Sequence, residues 1–409
     1  MAPRAKFYRF DGYPVSDSCW SLSSGPDGRI YAAACCEMSP GKSVKVVRYD
    51  RARDRLEWLF DVAEAVNDPA SSGRATQCKI HYSFASSPKT GILYCATHLS
   101  GPPAGAKLYS PWGSWHDPKV CFRGAALIAY DTRNDRIAWY DTLIPKEGCR
   151  CLAIDDERDI LYAIGYPRDH MVAYSLRDRT VRDLGRLGSV NSQAIFVDRL
   201  HRVWTSNDDG HLVRYDPDRD IMEDSPAPLP HPPYQTGWHS VFYDVASWDL
   251  RSFFIVTWNT APRLYRFWPE EGPFGRVEDL GVATQERDPS VPFSMFLDHA
   301  GGLVFDKAGF LYYIRSRWNN DYTQLEDKGR QLKAEGVLMR LDPRTLKASE
   351  VMVLKRPDGI AQYSSRAARD AHGDLFFANV GKIPVGFFRV AMPPASRRQA
   401  RGEVPRTWG

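Results

Sequence analysis

Two histidines, an arginine and a tyrosine recur at matching points of two successive segments of the chain. His98 and Tyr166 each lie 4 residues beyond the last aromatic residue of a short apolar segment. His81 and Arg150 lie 12 or 13 residues before that same aromatic residue. We predict that these four side chains form one catalytic group.

The chemistry available to such a group follows from its members. Imidazole exchanges protons near neutral pH, and a guanidinium offers a planar fork to a carboxylate. Together they suit proton removal α to a carboxylate followed by β-elimination, in which one group neutralises the carboxylate, another removes the proton and a third protonates the leaving oxygen. Glycoside hydrolysis usually needs two facing carboxylates, and the matching positions supply only Asp208 with its neighbour Asp209.

Further polar residues fall at equivalent points of other segments, and we predict that they contact the substrate. They are His239, Asn191, Gln193, Asp208 and Arg317. The elimination requires no cofactor, because one arginine and two histidines can offset a single carboxylate. Whether a metal is bound is left open, and a structural Ca²⁺ ion is compatible with every alternative.

A sevenfold repeat must position these residues. Each copy combines an inner strand, an apolar second strand, a third strand ending in an aromatic or aliphatic residue before a turn, and an outer strand. The third-strand segments are 47–50, 128–131, 172–175, 213–216, 264–267, 339–342 and 387–390. A period of roughly forty to fifty residues with strand-like alternation predicts an all-β, seven-bladed β-propeller of four-stranded antiparallel blades. The polar residues would then ring the mouth of its axial channel.

The repeat runs nearly end to end, so we predict a single propeller domain over residues 1–409. Insertions are expected at about 100–120 and 318–336, with a short C-terminal tail at about 393–409. The segment before residue 18 should pair with the last blade and close the ring, which removes exposed sheet edges.

The composition of the chain indicates which classes of partner it can have. The formal net charge of +4 is small and no long Lys/Arg block occurs, so we expect no nucleic-acid partner. No apolar run is long enough to span a membrane, and no secretory leader is visible; the chain is either intracellular or numbered from after a removed leader. All 8 cysteines precede residue 152 and should be buried free thiols. We expect a monomer acting on an acidic polysaccharide or oligosaccharide.

Two segments resemble a known family. Lys79-Ile80-His81 with the run 93–98, and the run 299–306, resemble the seven-bladed propeller polysaccharide lyases, which include ulvan lyases and L-rhamnose-α-1,4-D-glucuronate lyases. A related propeller family comprises α-L-rhamnosidases. The resemblance implies cleavage of a uronic-acid glycan at a rhamnose–glucuronate linkage by β-elimination.

The same resemblance implies individual roles. His81 and His98 would bind the carboxylate or shuttle protons, Tyr166 would act as base and acid, and Arg150 would clamp the carboxylate. In the family the tyrosine precedes the arginine by sixteen residues, whereas here Arg150 precedes Tyr166. Either the two side chains exchange places across one pocket, or the chemistry differs.

Three alternatives stay open. The first is a hydrolase acting on the same linkage. The second is a calcium-dependent, lactonase-like propeller with Asn191, Asp208 and Asn259 as oxygen ligands. The third is a non-catalytic propeller that binds glycans.

Overall fold

The computed structural model describes residues 3–99, 101–106, 111–188, 192–231, 241–258, 262–284, 299–317, 335–356, 364–380 and 385–393. These residues form an almost entirely β structure. Its two short α-helices are α1 (Val62–Ala65) and α2 (Pro111–Ser114), and a 3₁₀ turn covers Ala70–Ser72. His239, Asn191 and Asn259 lie outside the described residues, as do most of the insertion expected at 318–336 and nearly all of the tail.

The strands follow one another in sets of four. In chain order they are β1 (Arg4–Arg9), β2 (Leu22–Ser24), β3 (Ile30–Ala34), β4 (Lys45–Asp50), β5 (Arg55–Asp61), β6 (Lys79–Ser87), β7 (Ile92–His98), β8 (Gly124–Asp131), β9 (Arg136–Pro145), β10 (Gly148–Asp155), β11 (Ile160–Tyr166), β12 (His170–Ser175), β13 (Thr180–Arg186), β14 (Phe196–Val197), β15 (Val203–Ser206), β16 (His211–Asp216), β17 (Ile221–Pro228), β18 (Val241–Ser247), β19 (Phe253–Trp258), β20 (Arg263–Trp268), β21 (Arg276–Val282), β22 (Ala300–Phe305), β23 (Leu311–Arg317), β24 (Glu335–Leu341), β25 (Ala348–Leu354), β26 (Ser364–Arg369), β27 (Leu375–Asn379) and β28 (Gly386–Ala391).

The pairing of these strands is that of a β-propeller. Five sheets contain four strands each, and one eight-stranded sheet consists of two such units joined by a single parallel pair, Cys151 with Tyr82. We call the units blades 1 to 7, beginning with β2–β5. The predicted all-β propeller of four-stranded antiparallel blades is therefore confirmed, and the sheets are consistent with seven blades.

The N-terminal strand closes the ring, as the sequence predicted. Strand β1 pairs antiparallel with β28 over six residues and becomes the outer strand of blade 7. Tyr8 is buried in this position, and its ring lies edge-on to Tyr49 of blade 1 at 5.0 Å. Closure thus covers the edge that β28 would otherwise expose.

The repeated tyrosine and aspartate of the third strands have a physical role. Asp50 accepts hydrogen bonds from the backbone N–H groups of residues 52 and 53, which closes the turn to the outer strand. The Tyr49 hydroxyl donates to Asp54, a residue of the same turn with φ 51°, at 2.6 Å. Blade 4 repeats both contacts with Asp216 and with the bond from Tyr215 to Asp220. The repeat therefore encodes a turn capped by its own side chains.

The apolar core lies within and between the blades. Large rings such as Tyr31, Trp204, Phe254 and Phe376 are almost fully buried. All eight cysteines are buried free thiols, as predicted. Over the ranges that the structure describes, no helix is long and apolar enough to cross a membrane.

Candidate functional site

Irregularities of the inner strands bring the candidate residues together. In blade 3 the register of β10 against β11 shifts between Cys149 and Cys151, so Arg150 is the extra residue of a β-bulge. In blade 2 the pairing skips from Ile80 to Phe84, which places His81 in a similar irregularity of β6. A bulge re-aims the side chains it carries and increases the local twist.

These bulges join blades 2 and 3 through a hydrogen bond. The carbonyl oxygen of Arg150 lies 3.0 Å from Nδ1 of His81. Because a carbonyl oxygen only accepts, Nδ1 must carry the hydrogen, and the neutral ring keeps a lone pair on Nε2. The inner strand of one blade therefore sets the tautomer of the histidine on the other.

The other two predicted catalytic residues complete a stack. The ring of His98 lies 5.2 Å from that of His81 and stacks on Tyr166 at 4.7 Å. The Arg150 guanidinium carbon lies 4.9 Å from the centre of the Tyr166 ring. All four side chains are thus contiguous, and the reversed order of Arg150 and Tyr166 does not separate them.

A close backbone contact holds this arrangement. A Cβ on Gly148, at the start of β10, would lie 2.9 Å from Cα of His98 and collide with the backbone nitrogen of Leu99. Only a residue without a side chain lets the inner strand of blade 3 approach the end of β7 so closely.

Burial and positive charge keep both imidazoles neutral. His81 and His98 are 1% and 2% exposed, and this burial lowers the pKa of each well below its usual value. The charges of Lys79 and Arg150 lower the pKa of both rings further. Neither ring nitrogen of His98 has a hydrogen-bond partner within the described part of the chain, nor has Nε of Arg150. Such buried polar atoms are suited to meeting a polar ligand.

A second group, which the sequence did not predict, supports the histidines; it joins residues next to the inner and second strands of blade 1 to Lys79 of β6. Trp20 stacks on His81 at 5.0 Å, and the Lys79 ammonium lies 4.3 Å from the Trp20 ring. Glu37 binds Lys79 at 2.9 Å and also accepts hydrogen bonds from Trp20 and Ser18. Burial alone would raise the pKa of Glu37, but the charge of Lys79 and the hydrogen bonds from Lys79, Ser18 and Trp20 together outweigh it, so the pKa is lowered and Glu37 stays ionised.

An arginine crosses the interior beside this site. Arg366, in a bulge of β26, binds the Asp244 carboxylate of blade 5 and donates to the carbonyl of Gln193 in blade 4 at 3.2 Å. Its guanidinium carbon also lies 4.3 Å from the centre of the Tyr82 ring in blade 2. One side chain therefore ties four blades together at the axis.

The remaining predicted substrate contacts lie elsewhere in the structure. Gln193 is buried beside Arg366, and Asp208 packs against Gly188 in the turn after β15. Arg317, at the end of β23, binds Glu335 of the third strand at 2.7 Å and Glu350 of the outer strand at 3.0 Å, both in blade 6. These three assignments stay predictions. No group of three or more metal-ligating side chains is found among the described residues.

The comparisons with known proteins agree on the architecture. No protein-family model and no curated protein matches the chain. A streptogramin B lyase structure matches with a TM-score of 0.58 at 9% identity, over 96% of this chain and 99% of that one. The RRP9 WD40 repeats match with a TM-score of 0.59 at 10% identity, over 96% and 99%.

A third similar structure is the extracellular domain of the BT4673 two component system protein from B. thetaiotaomicron. Its TM-score is 0.58 at 13% identity, and the match covers 96% of this chain but only 40% of that one. At such identities the three structures show the propeller fold alone. None is a polysaccharide lyase or a rhamnosidase, so the family resemblance stays a prediction.

Proposed function

We propose that the protein is a carbon–oxygen lyase that cleaves a uronic-acid glycan by β-elimination, at an L-rhamnose-α-1,4-D-glucuronate linkage. The observation that carries this proposal is the contiguous stack of His81, His98, Tyr166 and Arg150. The choice of linkage rests on the resemblance of the blade 2 and blade 6 segments to the propeller lyases.

Arg150 supplies the positive charge that the reaction needs. The C5–H bond of a uronate becomes acidic only when the neighbouring carboxylate is neutralised, because the developing carbanion is otherwise beside a negative charge. The guanidinium of Arg150 has a buried Nε without a hydrogen-bond partner in the described residues. It can therefore bind a carboxylate by a charge-assisted hydrogen bond.

His98 and Tyr166 are the groups that move protons. One removes the C5 proton, and the electron pair of the C5–H bond forms the C4–C5 double bond. The C4–O bond breaks, its electrons leave with the oxygen, and the other group protonates that oxygen. The ring centres lie 4.7 Å apart, so a substrate in contact with one ring would lie close to the other. His81 supports the pair through its contact with His98, and its neutral form avoids competition with Arg150 for the carboxylate.

One assay tests the reaction class. Gum arabic and ulvan are incubated separately with the protein, and the ultraviolet absorbance of the unsaturated uronate is followed in parallel with free rhamnose. The proposal requires the absorbance to rise. Rhamnose release without new absorbance would instead identify a hydrolase, and binding without turnover would identify a glycan-binding propeller.

The same assay, repeated in the presence of EDTA, distinguishes the elimination from the calcium-dependent alternative. Since the elimination uses only side chains of blades 2 and 3, treatment with EDTA should leave its rate unchanged, apart from any effect on folding that circular dichroism would reveal. Complete loss of activity with the fold intact would favour a metal-dependent, lactonase-like reaction.

A further inference from the structure

Five arginines occupy equivalent positions on the third strands. Each lies directly across from an aromatic residue of the second strand, namely Tyr31, Trp204, Phe254, Tyr312 or Phe376. The arginines, in blades 1, 4, 5, 6 and 7, are Arg48, Arg214, Arg266, Arg340 and Arg389.

Four of these arginines bind the next blade in the ring. Each guanidinium donates to an oxygen in the turn between the third and outer strands of that blade. The pairs are Arg48 with Asp135 at 2.7 Å, Arg214 with the carbonyl of Pro273 at 2.6 Å, Arg266 with the carbonyl of Pro343 at 2.9 Å, and Arg389 with Asp54 at 3.3 Å.

The fifth arginine lacks this partner for a topological reason. Arg340 faces blade 7, whose outer strand β1 comes from the beginning of the chain, so no turn joins β28 to β1. Among the described residues, Arg340 has no hydrogen-bond acceptor, and its Nε is buried. Its guanidinium carbon lies 3.5 Å from the centre of the Phe310 ring.

A cavity of about 420 Å³ occupies the place of the missing turn. It is lined by Arg340 and Phe310 and, at the closing strands, by Pro3, Met392 and Pro393; we call it the seam cavity. Its size lies within the range of small-molecule sites. It opens at the turns between third and outer strands, which is the opposite end of the strands from His98.

The two carboxylates and the lysine that line the seam cavity have hydrogen-bond or ion-pair partners within the protein. The Asp306 carboxylate accepts the backbone N–H groups of residues 308 and 310. Glu350 is bound by Arg315 and Arg317, and the Lys307 ammonium donates to the carbonyl of residue 371 at 2.7 Å. Among the arginine, lysine and carboxylate side chains that line the cavity, Arg340 is therefore the one without a hydrogen-bond partner in the part of the chain described; His372 lines the cavity as well.

We propose that the seam cavity binds a small organic carboxylate, whose oxygens take the position that Asp135 and Asp54 have beside the equivalent arginines. The planar guanidinium on Phe310 presents its N–H groups for a paired contact with a carboxylate. The proposal does not depend on the lyase reaction, because its site and its ligand are separate.

Binding of malonate, followed by ligand-observed NMR and calorimetry, tests the proposal. The unmodified protein should give saturable binding, and Arg340→Gln should weaken it by about tenfold or more. Arg340→Lys should bind with intermediate strength, because it keeps the charge and loses the fork. Arg53→Gln, an exposed arginine of blade 1, is the matched control and should bind as the unmodified protein does.

A second variant keeps the test decisive if Arg340→Gln fails to fold. Val351→Trp fills the seam cavity from β25 while retaining Arg340, and it should abolish malonate binding. The proposal would be overturned if the unmodified protein does not bind malonate, or if both variants bind it as strongly as the unmodified protein does. Neither result bears on lyase activity, which is measured separately.

Discussion

The Nδ1–H of His81 is committed to the carbonyl oxygen of Arg150, so this imidazole exchanges protons only through Nε2. His98 differs, since neither of its nitrogens has a hydrogen-bond partner within the described residues. The two histidines therefore have separate roles at the level of single residues: His81 positions the stack, and His98 is free to meet the substrate.

Replacing His98 by Gln should reduce the elimination rate by about 100-fold or more, because the amide cannot exchange a proton. The rise in ultraviolet absorbance with a uronate glycan measures this loss. His116→Gln, at an exposed position, should keep full activity. If His98→Gln is as active as the unmodified protein, His98 has no part in proton transfer.

The buried His299 makes a prediction about stability. Burial lowers its pKa to about 3, whereas the unfolded chain titrates near 6.5. Below about pH 6.5 the unfolded state binds a proton that the folded state does not, so folding free energy is lost as the pH falls. For His299 the loss should reach roughly 2 kcal/mol at pH 5.

Urea unfolding at pH 7 and pH 5 checks this, with His299→Gln compared to the unmodified protein. The variant should show a smaller loss of unfolding free energy between the two pH values, because glutamine does not titrate. Equal losses in both proteins would mean that His299 is not the group responsible. His81 and His98 should add to the acid effect in the same direction, since their pKa values are lowered too.

At the scale of the elements, the spacing of the repeat placed His98 and Tyr166 at the ends of equivalent second strands, and this part of the site followed from the sequence. The support from Glu37, Lys79 and Trp20 did not follow, because it depends on how blade 1 packs against blade 2. Nor did the bulges that carry His81, Arg150 and Arg366. A bulge is defined by two residues of one strand facing one residue of the next, so its position depends on a strand pairing that the sequence does not display.

Gly148 gives a direct test of how β10 is positioned. Gly148→Ala should lower the unfolding free energy by about 2 kcal/mol, because its methyl group would collide with the backbone of His98 and Leu99. It should also reduce activity by moving Arg150 away from His81. In Gly165→Ala, on the paired strand, the nearest atom is a side-chain carboxylate oxygen of Glu147 at 3.0 Å and no backbone atom is as close, so the effect should be smaller. Urea unfolding of both variants measures the difference, and equal losses would contradict the close-approach argument.

At the scale of the whole molecule, the repeated motif builds the ring as well as the blades. Its tyrosine and aspartate cap the turn of their own blade, as in blade 1 with Tyr49 and Asp50. Where an arginine precedes the tyrosine, its guanidinium reaches the following blade, as Arg48 reaches Asp135. The sequence predicted the blades and the closure by β1, but not the contacts between blades, since those require the spatial neighbour of each turn.

At the closure seam, removing the guanidinium of Arg340 should therefore lower the free energy of unfolding less than removing the guanidinium of any of the other four arginines. Arg214→Met breaks bonds to the Pro273 carbonyl and to Glu223, and hydrogen bonds to charged groups contribute about 1.5–3 kcal/mol. Arg340→Met breaks no hydrogen bond within the described residues. It loses the contact with Phe310, worth about 0.5–1 kcal/mol, and the longer-range attraction to Asp306 and Asp342. Methionine retains much of the apolar packing in both cases.

Urea unfolding of the two variants in carboxylate-free buffer should show Arg214→Met less stable by at least about 1 kcal/mol. If both variants lose the same free energy, the bonds between neighbouring blades do not stabilise the ring.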